Sequence, residues 1–176
     1  MNFSGAVKTC FRKYVTFSGR AGRPEYWWFF LFGIIGSVVA GIVDAAVFGA
    51  GEIVVTDTSV SASSDGPVAT LFSLVIFLPG LSAGWRRMHD TGRSGLYLLY
   101  PLIALLGILT FVNLIGGTQM LTSGDLQSLF HGVFGIVLFI SLIVLIISPL
   151  LVLWWLSRPS QPGPNQWGPN PNEVLS

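Results

Sequence analysis

The chain has 176 residues, of which 52% are apolar and only 10% charged, with a net charge of +1 and a mean hydropathy of +0.70. An average soluble domain carries about 25% charged residues, so this composition excludes a disordered chain and disfavours a water-soluble globule. The small net charge argues against a nucleic-acid partner held by bulk electrostatics. One cysteine, Cys10, excludes an internal disulfide framework, and His89 and His131 do not complete a zinc site with it.

What remains is an integral membrane protein of all-α class, a four-helix bundle preceded by an amphipathic helix. Residues 1–24 form the N-terminal segment. Within it Phe3, Val7, Cys10, Phe11 and Tyr14 share one helical face, and Lys8, Arg12 and Lys13 lie toward the other. This spacing predicts a short helix lying on the membrane surface, where each basic side chain gains about 1 kcal/mol from anionic head groups. Gly19, Gly22 and Pro24 end it. Pro24 suits the first turn of the next helix, Glu25 complements that helix's dipole, and Tyr26, Trp27 and Trp28 suit the lipid–water border.

A membrane domain follows over residues 25–156, with spans at about 26–50, 67–85, 96–115 and 133–156. Each is near the 20 residues needed to cross about 30 Å of hydrocarbon. The runs are apolar all round, which excludes barrel strands. The first begins behind a basic segment, unlike a cleaved leader, and is expected to remain in the mature protein. Its small residues include the pairs Gly36 with Ala40 and Gly41 with Ala45, a spacing that lets helix backbones approach closely and marks a packing face. Its one acid, Asp44, is a candidate intramembrane relay. It stands about 27 Å along the helix from Tyr26, which puts it near the far interface. The loop Thr56–Asp65, rich in Ser, Thr and Asp, is expected to be mobile. Pro79, Pro101 and Pro149 are expected to kink or terminate their spans. Residues 157–176 form a tail rich in proline and glycine, expected to be extended, in which Trp167 is the one large apolar group and is suited to dock on the protein or the membrane.

All nine Lys and Arg residues precede span one, lie between spans two and three, or follow span four. The loops 51–66 and 116–132 have none. The positive-inside rule then places both termini and the Arg86–Arg93 loop in the cytoplasm of a plasma-membrane protein. Two segments on that side carry most of the polar chemistry: Gly19 to Trp28, and Arg86 to Gly95. Glu25 and Asp90 are too few to neutralise Arg20, Arg23, Arg86, Arg87 and Arg93, so these arginines are expected to face water, lipid phosphate or a partner. Glu25, His89, Asp90 and Ser94 are the candidate structural polar network. His89-Asp90 also raises general acid–base chemistry, but neighbouring side chains point in different directions and only Ser94 or Thr91 offers a nucleophile. No catalytic, cofactor-binding or metal-binding residue is assigned.

Three stretches carry a family resemblance. Phe17 to Trp28 runs from a Phe-Ser-Gly-Arg start to an arginine, a glutamate and aromatics. Arg86-Arg87-Met88-His89-Asp90 leads to Ser94-Gly95. Gly163-Pro164-Asn165 leads to Gly168-Pro169-Asn170-Pro171. In these the chain resembles the bacterial inner-membrane family designated domain of unknown function 805 (DUF805), the YhaH-like proteins. Met88 stands where the family has leucine, and Gln166-Trp167 where it has a basic–aromatic pair. The resemblance implies a bacterial plasma-membrane location and no activity. The leading expectation is a non-enzymatic protein whose arginine-rich cytoplasmic rim binds anionic lipid head groups or a membrane or cytoplasmic protein. An alternative is a small transporter or channel subunit, which would have to form a homo-oligomer because four helices make a narrow bundle. An enzyme using His89 is the third.

Overall fold

A computed structural model describes residues 1–49, 53–56, 59–62, 66–115, 117, 119, 123, 124 and 130–173. In chain order the elements are α1 (Phe3–Arg12), α2 (Arg23–Phe48), β1 (Ile53–Thr56), β2 (Ser59–Ala62), α3 (Pro67–Asp90), a 3-10 turn (Gly95–Leu99), α4 (Tyr100–Leu114) and α5 (Gly132–Ser157). Four helical stretches, Arg23–Phe48, Pro67–Asp90, Gly95–Leu114 and Gly132–Ser157, are long and apolar enough to span a membrane, as the apolar runs require. Between the first two of these, β1 and β2 pair antiparallel with Ile53 opposite Ala62 and Thr56 opposite Ser59. The rest of the Thr56–Asp65 segment, and most of loop 116–132, lie outside the described residues.

Lipid offers no hydrophobic driving force between spans, so close fit and hydrogen bonds must hold them. α2 and α3 run antiparallel. Ala40 is buried, Gly33 leaves Ile76 at van der Waals distance, and a Cβ at Gly36 would overlap the Phe72 ring. Gly36 and Ala40 are therefore the packing face that the spacing predicts. Gly41 faces open space instead and takes no part in it. Ile108 and Leu138 join α4 to α5. The two helix pairs meet where Met88, Val152 and Leu156 form a buried cluster bordered by Tyr26, Trp27, Leu98 and Trp155. Outward-facing residues such as Val39, Ile42, Leu74, Phe77, Ile136 and Ile140 remain exposed, as lipid contact demands.

α1 is the amphipathic helix that the spacing predicts, and it also packs against the spans. Its apolar face is spent on the protein: Cys10 packs with Phe29 and Ala83, and the Phe11 ring lies 5.7 Å from that of Phe29 and 5.9 Å from that of Phe32. Two spans also carry an internal proline, whose missing N–H strands the carbonyl four residues earlier. For Pro79 that is Val75, whose oxygen accepts from the Tyr14 hydroxyl at 2.7 Å. For Pro149 it is Leu145, whose oxygen accepts from Ser148 Oγ at 3.0 Å. Both helices continue through the proline because a hydroxyl replaces the lost donor. Pro101 sits in the first turn of α4, where no donor is lost.

Candidate functional site

α3 ends in a Schellman turn. The Gly92 N–H donates to His89 O at 3.1 Å, and the Arg93 N–H to Met88 O at 3.0 Å. Gly92 has a φ of +78°, which a side chain would oppose. The turn fixes Arg86, Arg87, His89 and Asp90 in a shell where Arg86, Arg87 and Asp90 have no solvent exposure.

Asp90 is the centre of that shell. Its Oδ1 accepts from Arg20 Nε at 2.9 Å, and its Oδ2 from Arg87 Nη1 and from Ser160 Oγ at 2.6 Å. Arg87 then reaches α5: Nε donates to Leu156 O at 3.0 Å and Nη2 to Arg158 O, so the guanidinium caps carbonyls at that helix's C-terminus. Arg20 reaches the tail, with Nη2 donating to Gln161 O at 2.6 Å and Nη1 to Gly163 O at 2.7 Å.

The tail is not extended into solvent but folded back over the end of α3. The Gln161 N–H donates to Asp90 O at 2.9 Å, and Asn165 Nδ2 to His89 O at 2.9 Å. Trp167 does dock on the protein, its ring stacked on His89 with centroids 4.6 Å apart. Asn165 and Asn170 each turn the chain locally by accepting from the N–H two residues on, at 3.0 Å.

Five arginines singled out in the sequence thus divide. Arg20, Arg86 and Arg87 are buried and hydrogen-bonded within the protein, which removes them from any lipid-binding rim. Counting carboxylates misled because backbone carbonyls supply most of the acceptors. Arg23 is exposed and Arg93 half-buried. His89 and Asp90 are back to back. His89 Nδ1 lies 3.0 Å from the Gly19 carbonyl, so that nitrogen carries the proton, and the two side chains share no hydrogen bond. Ser94 stands outside the network, its hydroxyl accepting from the Leu96 N–H to cap the 3-10 turn.

Glu25 joins a second pair, accepting from Arg86 Nη1. Arg86 Nε and Nη2 have no hydrogen-bond partner among the described residues; the Cys10 sulfur lies beside this guanidinium. Burial, and then the Glu25 carboxylate, push the Cys10 thiol up to about 11 against the pull of Arg86. At pH 8 the thiolate is then about one part in a thousand. Maleimide labelling of Cys10 is expected to be slow in the folded protein and fast once dodecyl sulfate unfolds it, as mass spectrometry of the adduct can follow.

Asp44 lies at the opposite end of α2, and it is buried. Its carboxylate accepts from the Val68 N–H at 3.0 Å and the Ala69 N–H at 2.7 Å, two of the unpaired donors at the start of α3. A Cβ at Gly66 would overlap it, so glycine is required there for this approach. Asp44 is a helix cap supplied by the neighbouring span. Asp44→Ala is expected to lower stability by about 1–2 kcal/mol, and Asp44→Asn, which keeps one acceptor, by less. Thermal melts in detergent measure both.

Sequence reasoning put the tail at this end of the molecule but missed Arg158, Ser160, Gln161 and Asn165 as hydrogen-bond partners of the shell. The signal available was the Asn-x-x-Gly spacing in the tail, which favours tight turns over an extended chain. Among the described residues, no three of His, Cys, Asp and Glu gather as metal ligands would.

The family described as "Protein of unknown function (DUF805)" matches residues 14–169. The inner membrane protein YhaH of Escherichia coli K12 is 35% identical over 101 residues, covering 57% of this chain and 75% of that protein. The inner membrane protein YhaI of the same strain is 33% identical over 101 residues, covering 57% of this chain and 74% of its own length. No solved structure matches.

Proposed function

We propose, from the premise that the chain belongs to the DUF805 family, that this small multi-pass inner-membrane protein works by binding, with its basic end in the cytoplasm and facing anionic lipid head groups. One observation carries the reading. Two carboxylates at this end are consumed by buried arginines, Glu25 by Arg86 and Asp90 by Arg20 and Arg87, and Glu173 accepts from the Gly163 N–H and Asn170 Nδ2. Lys8, Arg12, Arg23 and Arg158 remain exposed with no ion pair among the described residues. Cations at the lipid border with no internal partner are matched by the negative surface of the cytoplasmic leaflet. Nine basic residues in three segments, against none in the intervening loops, support this orientation.

The test has two readings. A phosphatase reporter fused after Ser176 is expected to be silent, and a cytoplasmic fluorescent reporter active; the reverse pattern rejects the orientation. Lipid that co-purifies with the chain is expected to be richer in phosphatidylglycerol than the surrounding membrane, and the enrichment to fall as salt rises. Co-purified lipid of bulk composition rejects the binding role.

A further inference from the structure

We infer that Arg93 and Arg158 form a site for a phosphate group at the basic end of the protein. The inference rests on the proposed binding role and gives that role a place. A cleft of about 300 Å³ is lined by Thr91, Arg93, Arg158, Ser160 and Gln161, together with Pro159 and Pro162. The Arg93 guanidinium lies over the Trp155 ring at 5.1 Å, and that of Arg158 over Trp154 at 4.9 Å. A ring face attracts a guanidinium and holds it in place without consuming its N–H donors, which suits contact with a phosphate.

The two cations have no anion of their own. Neither makes an ion pair among the described residues. Asp90, whose carboxylate is bonded to Ser160, is already held by Arg20 and Arg87. Glu173 accepts instead from the Gly163 N–H and Asn170 Nδ2. Arg93 spends one N–H on Thr91 O at 3.0 Å, and the Arg158 side chain spends none among the described residues. They are close enough for Arg158 to hold the Arg93 guanidinium below its usual range, an effect second to burial. Two like charges held over adjacent tryptophans repel, and an anion between them relieves that repulsion. The tryptophans end an apolar span, so the anion sits at head-group level.

The test uses the full chain in nanodiscs of equal parts phosphatidylcholine and phosphatidylglycerol, with retained lipid counted by native mass spectrometry. The unaltered chain is expected to hold phosphatidylglycerol about tenfold over phosphatidylcholine, and Arg93→Gln with Arg158→Gln to abolish that preference. Arg158→Gln alone changes an exposed side chain without touching the buried shell, so its expected severalfold loss reads the site even if the double variant folds poorly. In a second arm inorganic phosphate is titrated into the detergent-solubilised chain and followed by tryptophan fluorescence. Phosphate that displaces the lipid, with a response lost in Arg158→Gln, identifies the free anion as ligand; lipid retention that phosphate leaves untouched identifies the head group. Wild-type retention in both arginine variants, with no fluorescence response, overturns the site. If Lys8→Gln with Arg12→Gln removes the lipid preference and the arginine variants do not, the site falls while the binding role stands. No preference and no phosphate response in the unaltered chain rejects both.

Discussion

Asp90→Asn is expected to cost about 3–5 kcal/mol, the range for removing one partner of a buried charge pair. The carboxylate has no solvent exposure and compensates two guanidiniums, of Arg20 and Arg87, that are nearly as buried. Asparagine keeps the shape and one acceptor but not the charge, so both cations are left in a low-dielectric pocket. Arg87 also caps α5 and Arg20 also holds the tail, so the loss spreads to three parts of the chain at once. Dodecyl sulfate titration of detergent-solubilised protein measures it. A midpoint unchanged from wild type would mean that the carbonyl contacts alone hold the arginines.

Arg20→Ala is expected to release the tail while leaving the spans assembled. Three strong contacts go together: the pair with Asp90 and the donations to Gln161 O and Gly163 O. Hydrogen bonds to charged groups are worth about 1.5–3 kcal/mol each, and even two of them lost amount to a hundredfold or more in the fraction of tails undocked. Hydrogen exchange over residues 159–171 is expected to rise accordingly, and chymotrypsin to cut after Trp167, with α2 and α3 still protected. Arg20→Lys is expected to rescue poorly, because an ammonium cannot reproduce the fork that spans Asp90 and the tail carbonyls. Equal protection in wild type and Arg20→Ala would show that the Trp167–His89 stack alone suffices.

The spans were legible because a bilayer demands length and apolarity, and both are written in the residues themselves. The helix of the second runs five residues past the apolar run, to Asp90. Arg86 to Asp90 look like the start of a loop, yet they stay helical because each finds an internal partner. The face of α1 was legible as a face, but not what it covers: Phe11 is as suited to Phe29 as to lipid. Gly36 with Ala40 and Gly41 with Ala45 have the same spacing, and only α3's position distinguishes them. The fate of the arginines was the least legible. Their acceptors are backbone carbonyls of Leu156, Arg158, Gln161 and Gly163, which every residue type provides and no composition reveals. Asp44 was placed correctly near the end of its helix by the rise per residue. Its role as a cap needed the start of α3 to be known in space.

The bond from Arg20 to Gly163 joins residues separated by 143 positions, which sets an order on biosynthesis. At some 5–20 residues per second, Arg20 has left the ribosome and all four apolar helices have been made before its tail acceptors exist. During that interval Arg20 has only Asp90 and water, while Asp90 also has Arg87. The charged shell closes only after Gln161 and Gly163 have been made. A nascent protein stalled short of residue 160 would carry all four of these apolar helices and still offer proteases an open charged shell.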